Sequence, residues 1–438
     1  MRFRAACAAI LATALISSQS AGTRAQTAGA PPQDRQAPTF QAGAQLVQVD
    51  VRVFDQAGRF VEDLTIDDFE VFDRGVRQAI GAAFFVGPAA GDPATAPPLV
   101  TLRGAATAAA GAATTPSSAS ARQTWIMVFD LNHLTPGAGF ERAKAAVQQF
   151  LAETFRDGDL GGVVAGSRMV GNRLTSVRQE LIDAAASVKA VADQRTRMVE
   201  LTREWPRVRD EAEALAIARD DRDALQRAAV RACSDDPSAC RVTPPDLLLR
   251  DKARRFRTEL QRSTSESLAA MAALGNGLAR VPGPKTIVLL SDGFVIDELE
   301  SALRGAVGQA ARAGARIYAI DVRGLNRGGG NFLDAPAPDD RAGGPARFDL
   351  GADGPNSLAV DTGGLMIRNE NNLVRALSRV ADDASRYYIL GYQPKDLVLD
   401  GQYRAIDVRV SRPGLTVRAR KGYLALPASQ LLIPQPIK

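Results

Sequence analysis

Two stretches of this chain run through apolar residues and stop on an aspartate: Trp125-Ile126-Met127-Val128-Phe129-Asp130 and Thr286-Ile287-Val288-Leu289-Leu290-Ser291-Asp292. Continuous apolar runs without alternation predict strands buried on both faces, as in a parallel sheet covered by helices. Open parallel sheets bind ligands beyond the C-terminal ends of their strands, so both carboxylates are expected on the functional edge. Two carboxylates delivered there by separate strands point to a metal or polar-ligand site.

The 438 residues exceed one ordinary core and predict two or three domains. Arg2 and Arg4 precede an apolar stretch from about Ala5 to Ile16, then small residues up to Ala25. This is the pattern of a cleaved secretory signal over 1–25, and the expected location is secreted or periplasmic. No later segment reaches the ~20 apolar residues of a transmembrane helix. Without Arg2, Arg4 and Arg24 the 54 basic residues fall to 51 against 49 acidic, an excess that implies no nucleic acid. Cys7 leaves with the signal. Cys233 and Cys240, separated by Ser-Asp-Asp-Pro-Ser-Ala, are expected to pair in an oxidising compartment, with two free thiols as the alternative.

Residues 26–40 are polar, contain proline and are expected to be disordered. Alternation in Val47-Gln48-Val49-Asp50-Val51-Arg52-Val53 predicts a half-buried strand and opens a small β module over 41–87. Residues 88–122, rich in Ala, Gly, Pro, Thr and Ser, form a linker. An α/β region over 123–385 follows, with helices predicted at Ala143–Phe155, Glu180–Val191, Leu299–Ala313 and Asn371–Ser385. Its rhythm breaks at 197–280, where two long helices, 207–232 and 246–279, are expected to fold as a hairpin stapled at the tip by the cysteines. A Gly/Pro/Asp-rich loop spans 325–357, and Asp361-Thr362-Gly363-Gly364 reads as a strand-ending turn. Strand patterns at Tyr387–Tyr392, Tyr403–Val410 and Leu415–Arg420 close the chain. Because domain termini tend to lie together, the 386–427 segment is predicted to complete one sandwich with 41–87.

Taken together, these motifs resemble von Willebrand factor type A domains, and among them the secreted VWFA-related proteins of acidobacterial type. The likeness rests on Asp63-Leu64-Thr65-Ile66-Asp67-Asp68-Phe69-Glu70-Val71-Phe72, Phe129-Asp130, Leu290-Ser291-Asp292-Gly293, Asp361-Thr362-Gly363-Gly364, Tyr387-Tyr388-Ile389-Leu390-Gly391-Tyr392-Gln393-Pro394 and Lys421-Gly422-Tyr423. It implies an α/β fold: a Rossmann-like doubly wound domain with the helical hairpin inserted, plus an Ig-like β-sandwich from the terminal strands.

The resemblance also implies a divalent ion, Mg²⁺, held by an Asp-x-Ser-x-Ser motif, a threonine from a later loop and a further aspartate. Asp130, Asn132, Thr196 (with Thr202 as second choice) and Asp292 match those positions, while Leu134 stands where a second serine would supply oxygen. The competing role for both aspartates is capping of the following helices or acceptance of backbone N–H bonds. His133, the single histidine, is expected to be exposed loop polarity, and no nucleophile motif lies beside it. Gly328-Gly329-Gly330 lacks the strand-to-helix context of a phosphate cradle, and Asp334, Asp339, Asp340, Asp349 and Asp353 fit no calcium-loop spacing.

The expectation is therefore a non-enzymatic protein whose C-terminal sheet edge engages a protein partner, as an adhesion or scaffold module with a degenerate ion site. A metal-dependent hydrolase on a similar sheet and a structural envelope protein without metal are the competing readings.

Overall fold

A computed structural model describes residues 47–87, 123–191, 200–324, 353–396, 398 and 400–425. The signal segment, the 26–40 and 88–122 stretches, Thr196, Gly328–Gly330 and the loop acids Asp334, Asp339, Asp340 and Asp349 lie outside the described residues.

The chain opens with strands β1 (Val47–Phe54), β2 (Phe69–Asp73), β3 (Val76–Gln78) and β4 (Ile80–Val86). Then come β5 (Thr124–Phe129), α1 (Ala138–Glu153), β6 (Leu160–Ala165), β7 (Arg168–Met169) and α2 (Arg178–Ser187). Helices α3 (Glu211–Ala218), α4 (Arg222–Asp235), α5 (Pro237–Val242) and α6 (Pro245–Leu278) lie in the insertion. The α/β rhythm resumes with β8 (Lys285–Ser291), α7 (Glu300–Arg312), β9 (Ala315–Asp321), α8 (Asp353–Asp361), β10 (Met366–Ile367) and α9 (Leu373–Ser385). Strands β11 (Tyr387–Tyr392), β12 (Tyr403–Val410), β13 (Thr416–Ala419) and β14 (Gly422–Leu424) end the described chain.

The fold is mixed α/β. A six-stranded sheet has the order β10-β9-β8-β5-β6-β7, parallel except for β7 at one edge. Every residue of β5, β8 and β9 is buried, because these strands carry helices on both faces and an apolar side chain at nearly every position has somewhere to pack. One face meets Phe140 and Val147 of α1, Leu181 of α2 and Leu377 of α9. The other meets Leu268 and Met271 of α6 with Leu303 and Val307 of α7. Helix α9 illustrates the local logic: Leu373, Ala376, Leu377, Val380 and Ala384 recur at helical spacing, and the Asn372 side chain accepts from Arg375 N at 2.9 Å to cap its start.

The inserted helices differ from the expected hairpin. The segment read as one helix over 207–232 is interrupted once: Asp210 caps α3 and Asp221 caps α4, while just beyond the segment Asp236 caps α5, each through its side chain accepting from backbone N–H. These aspartates are local helix-start signals that the expectation of one long helix did not use. Cys233 and Cys240 are bonded, tying the end of α4 to α5. The second expected helix belongs to two cores at once. Leu249 and Ala253 in its first half pack with α3 and α4, whereas Leu268, Met271 and Leu278 in its second half cover the sheet. That second half is thus the crossover helix leading into β8. Gly275 lets it approach α7 closely, since a Cβ there would lie 2.8 Å from Gln309 C and 2.9 Å from Ala310 N.

Two further differences concern the crossover from β9 to β10. Residues 353–357, expected in a loop, form the first part of α8, and Asp361-Thr362-Gly363-Gly364 ends that helix rather than a strand. Thr362 Oγ1 donates to Leu358 O at 2.9 Å, and Gly363 turns the chain with φ 83° before β10.

Strands from both ends of the described chain share two antiparallel four-stranded sheets, β13-β1-β11-β4 and β14-β12-β2-β3. Val49, Val51 and Val53 of β1, Leu390 and Tyr392 of β11, Val71 of β2 and Val408 of β12 fill one common core between them. The alternate residues of β1, including Asp50 and Arg52, face the other way.

Candidate functional site

Strands β5 and β8 pair in register from Thr124↔Lys285 to Phe129↔Leu290, so Asp130 and Asp292 leave the sheet side by side. The turn after β5 is zipped to the turn after β8. Asp130 N donates to Leu290 O at 3.0 Å, Asp292 N to His133 O at 3.2 Å, and Thr135 N to Asp292 Oδ2 at 2.7 Å. A third aspartate, Asp321, ends the neighbouring β9 and forks with Arg323 through Nε at 2.9 Å and Nη2 at 2.7 Å. Asp321 was not among the residues singled out from the sequence.

Asp130 is buried and accepts three side-chain hydrogen bonds. Ser267 Oγ donates to Oδ1 at 2.7 Å, Ser291 Oγ to Oδ2 at 3.0 Å, and His133 Nδ1 lies 2.9 Å from Oδ2. Burial is the largest influence on this carboxyl and raises it, but His133 and the two serines together hold it below the ordinary carboxylate range. With Asp130 ionised, Nδ1 carries the imidazole proton, and Nε2 faces Thr264 Oγ1 at 3.4 Å. His133 is therefore not the exposed loop residue expected from sequence. It is buried, with its ring centroid 5.0 Å from that of Phe294.

Asn132 turns its side-chain amide to the same helix, donating from Nδ2 to Ser267 Oγ at 3.1 Å and to Ser263 O at 3.4 Å. Helix α6 thus crosses the edge with Ser263, Thr264 and Ser267 on one face. Sequence reasoning missed all three, although hydroxyl residues at i, i+1 and i+4 inside an otherwise apolar helix face were the available signal. Asp297, in the turn after β8, fixes the helices from the other side: Arg257 Nε donates to it at 2.9 Å, and Arg219 of the α3–α4 turn also pairs with it.

Asp292 has a different environment. Burial pushes its carboxyl up to about 6, against the lowering influence of the Thr135 hydrogen bond and of Arg323. Adjacent carboxylates on one edge are thus held apart in acidity, one ionised by donors and one raised by burial.

Of the four residues matched to an ion site, Asp130, Asn132 and Asp292 come together, and Thr196 lies outside the described residues. Thr202 is half-buried and is not among the donors to Asp130. The described residues do not fit a Mg²⁺ cage as arranged. Both Asp130 oxygens already face donor protons, Asn132 presents its N–H₂ to the helix, and Leu134 is fully buried and offers no oxygen. Among the described residues no three His, Cys, Asp or Glu side chains converge in a way that would hold a metal. No described helix is long and apolar enough to cross a membrane.

No protein-family model matches the sequence, and no curated protein matches it. Among solved structures, an aerotolerance-related membrane protein from Bacteroides fragilis NCTC 9343 with multiple mutations to serines is 14% identical, with a TM-score of 0.29 over 60% of this chain and 99% of that chain. The conserved hypothetical protein BatB from Bacteroides thetaiotaomicron is 16% identical, with a TM-score of 0.28 over 60% and 98%.

Proposed function

We propose that this chain is an exported, non-enzymatic protein-binding module of von Willebrand A type, in which the C-terminal sheet edge and the inserted helices together form the surface that meets a protein partner. The observation that carries this reading is the bond from Ser267 to Asp130: the carboxylate at the centre of the edge is engaged by the insertion itself. A partner approaching that edge meets α6 and its neighbours, and loops or insertions placed on a rigid sheet edge are where recognition surfaces commonly lie. The Mg²⁺ expected at Asp130, Asn132, Thr196 and Asp292 is not required by this reading, because the Asp130 charge is compensated by protein donors.

A hydrolytic role is disfavoured on the same geometry. Thr264 and Ser267, the hydroxyls beside His133, are buried in the middle of a helix that packs on the sheet, which is a poor position for a nucleophile.

The test is capture of envelope proteins from the producing organism by the purified mature chain, with chelator throughout. Arg262→Glu alters an exposed position of α6 beside Ser263, and Arg409→Glu alters an exposed position of β12 in the sandwich. The partner retained by the wild type is expected to be lost with Arg262→Glu and kept with Arg409→Glu. The opposite pattern would place recognition on the sandwich and defeat the proposal.

A further inference from the structure

At the opposite end of the parallel sheet the sandwich docks through a layer of buried arginines. Arg52 of β1 and Arg316 at the start of β9 are 0% and 2% exposed. Both guanidiniums lie against the Tyr387 ring, with Cζ 5.3 Å and 4.3 Å from its centroid. Arg418, opposite Arg52 in the β1–β13 ladder, and Arg420 border the same layer.

The acidic partners are too few for these cations. Asp383 serves several groups at once: Arg52 Nε lies 3.2 Å from Oδ2, Tyr318 donates to Oδ2 at 2.7 Å, and Arg418 pairs with Oδ1. Asp50 is 3.6 Å from Arg316 Nε, beyond hydrogen-bond reach. Arg420 is taken up by the backbone oxygens of Ala311 and Gln48. Among the described residues, four guanidiniums therefore face two carboxylates. Nη1 and Nη2 of Arg52 and all three nitrogens of Arg316 have no hydrogen-bond partner among the described residues. Stacking on Tyr387 compensates part of the charge, and its hydroxyl beside Arg316 is at most one acceptor for the in-plane N–H groups of the two arginines. Buried donors of this kind are satisfied by water or by an ion, and only an anion also balances the charge.

We propose that the junction between the sandwich and the parallel sheet binds a small oxyanion of the phosphate or sulfate class, held by the free N–H edges of Arg316 and Arg52 beside Tyr387. Planar guanidinium forks match the paired oxygens of such an ion better than they match a halide. Bound there, the anion joins β1 of the sandwich to β9 of the α/β sheet, so its occupancy sets how firmly the two parts are held together.

The mature chain, dialysed free of phosphate and sulfate, is denatured in acid and the released ions are measured by ion chromatography. In parallel its Tm is followed against inorganic phosphate, sulfate and chloride at constant ionic strength. The expected result is either about one equivalent of released oxyanion per chain, or a saturable rise in Tm of about 3–5 °C at an oxyanion concentration ~100-fold above its Kd, with no rise for chloride. Arg316→Met is expected to abolish either signal, and Arg409→Met to leave it intact. Should Arg316→Met fail to fold, Arg52→Met takes its place, and the wild-type measurement needs no variant. The proposal is overturned by wild-type protein that neither releases nor responds to oxyanion, by an equal response to chloride, or by a signal undiminished in the arginine variant.

Discussion

Ser267 Oγ donates a 2.7 Å hydrogen bond to Asp130 Oδ1 across 137 positions of sequence, joining the middle of the inserted helix α6 to the end of the central strand β5. The contact makes the insertion part of the sheet edge rather than an appendage to it. Asn132, His133 and Ser291 complete the same buried polar cluster, and such clusters fix a unique packing when every member is satisfied.

Because protein donors already serve the Asp130 carboxylate, millimolar Mg²⁺ is expected to leave the Tm unchanged relative to chelator. A rise with Mg²⁺ that disappears in Asp130→Ala would restore the ion-dependent reading of this edge.

Asp292 provides a pH signature, best measured with chelator present. Its carboxyl is raised to about 6 in the folded protein and returns to the ordinary range near 3.8 on unfolding. Folding therefore favours the protonated form. The associated stability is fully present below about pH 4 and lost as pH rises through about 6. Asp292→Asn keeps an acceptor for Thr135 N and removes the buried charge, so at pH 7 it is expected to stabilise by ~2–3 kcal/mol. At pH 4 the gain should vanish. Urea unfolding at both pH values checks this, and an equal effect at each contradicts it.

The Cys233–Cys240 bond closes a short loop between α4 and α5. Loop-closure arguments give about 2–3 kcal/mol for a ring of this size. That stabilisation is expected to be local to the insertion. Reduction, or Cys233→Ser with Cys240→Ser, should speed proteolytic cleavage within 219–245 while the sheet stays intact. Cleavage elsewhere first would show that the bond supports more than the insertion.

Gly275 is expected to tolerate no side chain without cost. A Cβ there meets backbone atoms of Gln309 and Ala310 inside 3 Å, so Gly275→Ala must part α6 from α7. The higher helix propensity of alanine offsets up to about 1 kcal/mol. Overpacking of this kind typically costs ~1–3 kcal/mol, so a net destabilisation is expected in denaturant. A stabilised variant would mean that the helices separate freely.

The strands and the sheet edge that carries Asp130 and Asp292 were legible because the signals are local. The unbroken apolar runs to Phe129 and Leu290 are what strands buried on both faces require, and the alternation of Val47 to Val53 marks a sandwich face. The capping aspartates Asp210 and Asp221 were equally local, yet neither was used as a helix-start signal, so two helices looked like one continuous helix over 207–232. The content of the site was not legible in the same way. Ser267 reaches Asp130 only because α6 crosses the edge, and its register there depends on packing at Leu268, Met271 and Gly275 of the same helix, all far from Asp130 in sequence. His133 was misplaced for the same reason: its burial is supplied by Thr264 and Phe294, both distant in sequence.

The most direct measurement is a double-mutant cycle between Asp130→Asn and Ser267→Ala, followed by urea unfolding at neutral pH with chelator. A hydrogen bond to a buried carboxylate contributes about 1.5–3 kcal/mol. The single changes are each expected to destabilise, and the double variant to show a coupling of at least ~1 kcal/mol. Additive effects within ~0.5 kcal/mol would mean that α6 does not close the edge through this pair, and the composite binding surface would lose its basis.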